Sequence, residues 1–73
     1  MKGQVYIGEL ISFDTDEGVI ELFDKENQEP IRIDIGTNVN LPPSCELKDL
    51  LMQEIEVGVI EGVKTLIRRL FNF

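Results

Sequence analysis

Residues 30–51 read PIRIDIGTNVNLPPSCELKDLL, and the change of pattern inside this stretch decides the fold. Ile31, Ile33 and Ile35 alternate with Arg32 and Asp34. An apolar residue at every second position is the period of a strand with one face in a core and the other in water or on a ligand. Pro30 suits the first position of that strand, where its missing N–H interrupts no ladder. Residues 36–43 read as irregular, because the pair Pro42-Pro43 forbids a helix before Ser44. Ser44 is then placed as an N-cap, with Glu46 in the first turn. Leu47, Leu50 and Leu51 fall at i, i+3 and i+4, one apolar stripe on a helical turn over residues 44–51. A helix that short does not persist alone in water, so the stripe must dock on something.

On the N-terminal side, residues 4–13 read as a first strand rich in β-branched and aromatic side chains. Val5 and Ile7 share its inner face, but Glu9 would follow them inward and Leu10 lies on the other side. Either a bulge near Gly8 resets the phase, or the strand is unkinked with both faces partly covered. Residues 14–18, Asp-Thr-Asp-Glu-Gly, form a turn. Its acids do not make a calcium loop, because the sixth and twelfth positions hold Val19 and Lys25 in place of glycine and glutamate. Residues 19–23 make the second strand and residues 24–29 a polar connection to the third. After the helical turn, residues 53–59 make a fourth strand, with Ile55, Val57 and Val59 inward and Glu54 and Glu56 outward. Glu61-Gly62 supplies a tight turn, and residues 63–70 make the fifth strand. The order is β-β-β-α-β-β in a single domain, residues 1–73.

A chain of 73 residues buries only about 60% of the surface it exposes when unfolded, so its margin of stability is thin. Cys45 is the one cysteine and histidine is absent, so neither an intrachain disulfide nor an ordinary zinc site can supplement the core. No metal and no cofactor is expected. No apolar run approaches the roughly 20 residues that span a bilayer, which places the chain in the cytoplasm with no membrane partner. The formal net charge is −7, from 14 acidic and 7 basic side chains, and repels phosphate backbones at long range. The charge is uneven. Nine acids lie between Glu9 and Asp34, whereas Lys64, Arg68 and Arg69 follow Gly62 with no side-chain acid after them.

Catalysis is not expected. Without histidine there is no imidazole base, and neither Ser12, Ser44 nor Cys45 stands in the context of an activated nucleophile. The glycines are scattered and form no phosphate loop.

The order of three strands, a helical turn and two strands resembles the oligonucleotide/oligosaccharide-binding (OB) fold, a five-stranded Greek-key barrel. The opening Met1-Lys2-Gly3 and the later Gly18-Val19-Ile20 are similar to cold-shock domains within that group. That resemblance implies a basic, aromatic second and third strand for base stacking. Residues 16–23 here are acidic, with Phe23 as the one aromatic. An SH3-like barrel is the alternative fold, but it carries its single helical turn before the last strand.

Two functions follow. The first is a non-catalytic β-barrel that binds another protein or serves as a small subunit of a complex. The ending Leu66-Ile67-Arg68-Arg69-Leu70-Phe71-Asn72-Phe73 has more apolar side chains than one strand face can hide. Arg68, Arg69, Phe71 and Phe73 are its candidate anchors, since arginine and aromatics dominate binding hot spots. Equally, Phe71 and Phe73 could fold back to close the barrel's end. The second function is single-stranded nucleic-acid binding by Phe23 and Arg32, with Tyr6 beside them and with Lys64, Arg68 and Arg69 on phosphate. Self-association is compatible with the first, with the first and fifth strands as open edges.

Overall fold

A computed structural model describes residues 3–70. It is all-β apart from one short helix. The strands are β1 Gly3–Asp14, β2 Val19–Asp24, β3 Glu29–Asp34, β4 Val39–Asn40, β5 Glu54–Ile60 and β6 Lys64–Arg69. They form one six-stranded sheet in the order β3-β2-β1-β5-β6-β4, with every neighbouring pair antiparallel except β4 with β6. The sheet is open and six-stranded, with β3 and β4 at its edges, where the pattern predicts a five-stranded barrel. β1 therefore lies between β2 and β5, and β6 is covered by β4 only at Thr65 and Leu66.

β1 serves both halves of the sheet. Gly3 to Glu9 pair with β5, and Glu9 to Asp14 pair with β2. The register with β2 slips between Leu10 and Ser12, so the bulge lies at Ile11 and not near Gly8. One extra residue moves later side chains to the opposite face. Tyr6, Gly8 and Leu10 turn inward before the slip, and Phe13 turns inward after it. Val5 and Ile7, which the alternation places inward, face outward instead. Gly8 is required where it stands, because a Cβ there would sit 2.7 Å from the carbonyl oxygen of Phe23.

Asp14 builds the first turn by accepting backbone N–H bonds from Asp16 and Glu17 at 3.0 and 3.1 Å. Gly18 closes it at φ +69, and its carbonyl accepts from the N–H groups of both Ile35 and Gly36. Those two bonds bend the chain off β3, and the ladder is not resumed until Val39. The strand β4, in a segment that reads as irregular, is the result. Its Cα partners are Thr65 and Leu66.

The helix is shorter than the sequence suggests, a 3-10 turn at Leu47–Leu50. Its N-cap is Glu46 and not Ser44, which sits at φ +56. The Asp49 carboxylate accepts the Glu46 N–H at 2.9 Å. In a 3-10 turn residues i and i+3 eclipse, so Leu47 and Leu50 stack into the core while Leu51 swings out to 37% exposure. They join Leu10, Ile20, Leu22, Ile33, Ile35, Ile55, Val57 and Ile67 in one cluster. Thr65 is buried with them and donates its hydroxyl to the Ile35 carbonyl at 2.9 Å. Among the described residues no helix is long and apolar enough to cross a membrane.

Candidate functional site

The registers of β1, β5 and β6 set their outward side chains in a small grid. Gly3, Ile60 and Lys64 make one row; Val5, Gly58 and Leu66 the next; Ile7, Glu56 and Arg68 the third. Burial alternates as this requires: Ile55, Val57, Thr65 and Ile67 are buried behind the grid. Val5, Ile7 and Leu66 are 65%, 50% and 41% exposed. These three large aliphatic residues share one outward face, Val5 and Ile7 on β1 and Leu66 on β6, with β5 between them.

Gly58 shapes this face into a groove. Its missing side chain leaves a gap between Val5 and Leu66, and the nearest atom to a Cβ built there is the Leu66 carbonyl oxygen at 3.9 Å. Leu41, Pro42 and Pro43, leaving β4, wall the far side. The groove is open to solvent, with a volume of about 730 Å³. That is within the size range of ligand clefts.

The outward charged side chains on the groove are Glu56 and Arg68, whereas Arg69, opposite the buried Ile55, lies on the other face of β6. Arg68 Nε lies 2.7 Å from Glu56 Oε1, a cross-strand pair set by their register. Arg69 donates from Nη2 to Cys45 Sγ at 3.6 Å and has no carboxylate within ion-pair distance among the described residues. One cation and one anion, paired with each other, leave the outward face of the groove neutral on a chain of −7.

Lys64, Arg68 and Arg69 all lie on β6 but are not brought together: Lys64 stands at its start, and Arg68 and Arg69 stand at its end on opposite faces. Phe71 and Phe73 lie outside the described residues. Phe23 and Arg32 share the outward face of β2 and β3, far from Lys64 in the strand order. Arg32 stands opposite Glu21 and 3.6 Å from Glu17, while Phe23 is flanked by Glu9. Tyr6 turns inward, against the core. The proposed stacking face is therefore ringed by carboxylates. Sequence reasoning missed Gly58, placed Val5 and Ile7 inward, and had Leu66 only as the start of the apolar ending. One signal was available: a glycine inside a strand marks a bulge or a close approach by something else, and Gly58 has no bulge.

Matched against protein-family models, curated proteins and solved structures, the chain finds no counterpart in any of the three.

Proposed function

We propose that this chain is a non-catalytic, OB-type small barrel that binds another protein through the outward face of β1, β5 and β6. The carrying observation is the groove floored by Gly58 between the exposed Val5 and Leu66. The OB reading draws support from three features. β1 is shared by two partners, β4 runs parallel to β6, and Thr65 bonds the segment that follows β3. The non-catalytic reading rests on a chain without histidine and with one cysteine, and that same cysteine usage suits the cytoplasm. The nucleic-acid alternative is weaker, since Phe23 and Arg32 stand among Glu9, Glu17 and Glu21.

Quantitative capture with three baits tests the reading: the natural chain, Leu66→Glu on the grooved face, and Arg32→Glu on the opposite one. Proteins retained by the natural and Arg32→Glu baits and lost on Leu66→Glu are the expected result. Retention unaffected by Leu66→Glu, or abolished by nuclease, overturns it.

A further inference from the structure

The occupant of the groove can be named, resting on the reading of that face as protein-binding. We infer that the turn carrying Leu51 and Met52 on one copy of this chain seats in the groove floored by Gly58 on another copy.

The turn breaks the rules of its own geometry. Leu51 at φ −56 and ψ 135 and Met52 at φ +68 are the central residues of a type II turn, closed by the Gln53 N–H on the Leu50 carbonyl at 3.0 Å. The second central position needs a positive φ and belongs to glycine or asparagine. Leu10 ties the same turn to β1, donating its N–H to the Gln53 carbonyl at 3.0 Å and accepting from the Met52 N–H at 2.8 Å. Two residues thus oppose one, a bulge whose left-handed position is again glycine's. Met52 fills it with a side chain 73% exposed, Leu51 precedes it at 37%, and Ile11, next along from Leu10, is 39% exposed. A glycine at position 52 would relieve the backbone and uncover no core. A long, flexible thioether held at the tip of a strained turn suits insertion into an irregular apolar recess.

The groove is such a recess. Val5, Leu41 and Leu66 surround the bare Gly58, and the charges beside them, Glu56 and Arg68, satisfy each other. Neutral aliphatic walls favour an uncharged aliphatic occupant, because a charge buried there would have no partner. Leu51 and Met52 are such an occupant. Within one copy the two elements cannot meet. Gln53 precedes Gly58 by five residues along an extended stretch, roughly 17 Å at the rise of a strand and beyond the reach of a side chain. The match is therefore between copies, and it joins two different surfaces of the chain. The charge of −7 on each copy opposes the approach, so the association strengthens as salt screens it. A contact made by opposite charges would weaken instead.

Sedimentation equilibrium on the full chain and its variants tests this. Met52→Gly removes the projection in a conformation glycine prefers, and Gly58→Val fills the groove on its solvent side. The natural chain is expected to self-associate as its concentration rises. The association is stronger at about 1 M salt than at about 0.1 M, where the screening length is about 10 Å and not 3 Å. Each variant alone loses at least about tenfold in association constant. Met52→Gly keeps or raises the melting temperature, which separates lost contact from lost fold, and Leu66→Glu is the second groove variant. Mixed one to one, Met52→Gly and Gly58→Val recover a heterodimer, since one supplies the intact groove and the other the intact turn. A natural chain that stays monomeric, an association that weakens with salt or survives in Met52→Gly or in both groove variants, or a mixture that stays monomeric overturns the choice of occupant. Each of those results leaves the bait comparison standing. Capture of other proteins that ignores Leu66→Glu, by contrast, removes the protein-binding reading of the face.

Discussion

The same substitution, glycine to alanine, is expected to act with opposite sign at Gly8 and Gly58, two positions on paired strands. At Gly8 the added methyl meets the Phe23 carbonyl oxygen at 2.7 Å and the Leu22 Cβ at 3.1 Å. Neither obstacle is the end of a flexible side chain, so β1 and β2 must move apart. Overpacking of that kind costs about 1–3 kcal/mol. Against it stands the gain of about 0.5–1 kcal/mol from restricting the unfolded chain. The net loss is about 0–2.5 kcal/mol in a domain whose whole stability, at this size, is about 4–11 kcal/mol. At Gly58 the clash is absent, with the nearest atom at 3.9 Å, so only the gain of about 0.5–1 kcal/mol remains. A domain of this size shifts its melting temperature by about 4–8 °C per kcal/mol. Gly8→Ala should therefore melt roughly 4–24 °C below Gly58→Ala, with the natural chain between them. Thermal melts, backed by urea curves of unchanged slope, decide it. Both variants moving in the same direction would refute the reasoning, because it rests on one glycine being sterically required and the other being sterically free.

Three further outcomes follow from named contacts. Thr65→Val keeps the shape of a buried side chain but removes the donor to the Ile35 carbonyl, and should cost about 1–3 kcal/mol in urea denaturation. Arg68→Gln breaks a pair whose arginine is 71% exposed, so its cost should stay below about 1 kcal/mol and fade as salt is added to the melt. The Asn27 side-chain amide, helped by the Glu26 and Asn27 backbone N–H groups, holds the Asp24 carboxyl below its ordinary value of 3.8. A depressed folded value means that this contribution is present above the unfolded value and is lost as pH falls through the folded one. Asn27→Ala should therefore flatten the fall in melting temperature between roughly pH 5 and pH 2.

Much of the fold is legible in alternation alone. Ile33 and Ile35 are buried as the residues 31–35 pattern requires, and Ile55 and Val57 behave likewise on β5. What alternation cannot supply is which face of a strand is inside when both carry apolar residues. Val5 and Ile7 look like core beside Tyr6, Gly8 and Leu10. The choice is made by the neighbouring strands, since only a glycine fits against the Phe23 carbonyl, and that turns Gly8 and its whole set inward. The bulge at Ile11 is likewise a property of three strands meeting. The fate of Leu51 depends on a helix of 3-10 and not α pitch, which three leucines at i, i+3 and i+4 do not distinguish. The two-residue β4 has no pattern to read.

The outward row Val5–Gly58–Leu66 departs from local expectation twice in one place. Two aliphatic residues face water, and between them stands the residue least suited to a strand interior. Each departure weakens the isolated domain, and this domain has no disulfide to offset either. If stability alone had shaped the row, a β-branched residue at its centre would join Val5 and Leu66 into cross-strand contacts worth about 0.2–1 kcal/mol each. A bare centre forgoes them and leaves room for a side chain from elsewhere. Local rules broken together at one spot, with the core behind intact, are consistent with the binding face proposed above. The basic, apolar end of the chain thus draws its meaning less from its terminal aromatics than from β6 itself, where Leu66 and Arg68 border the gap that Gly58 keeps open.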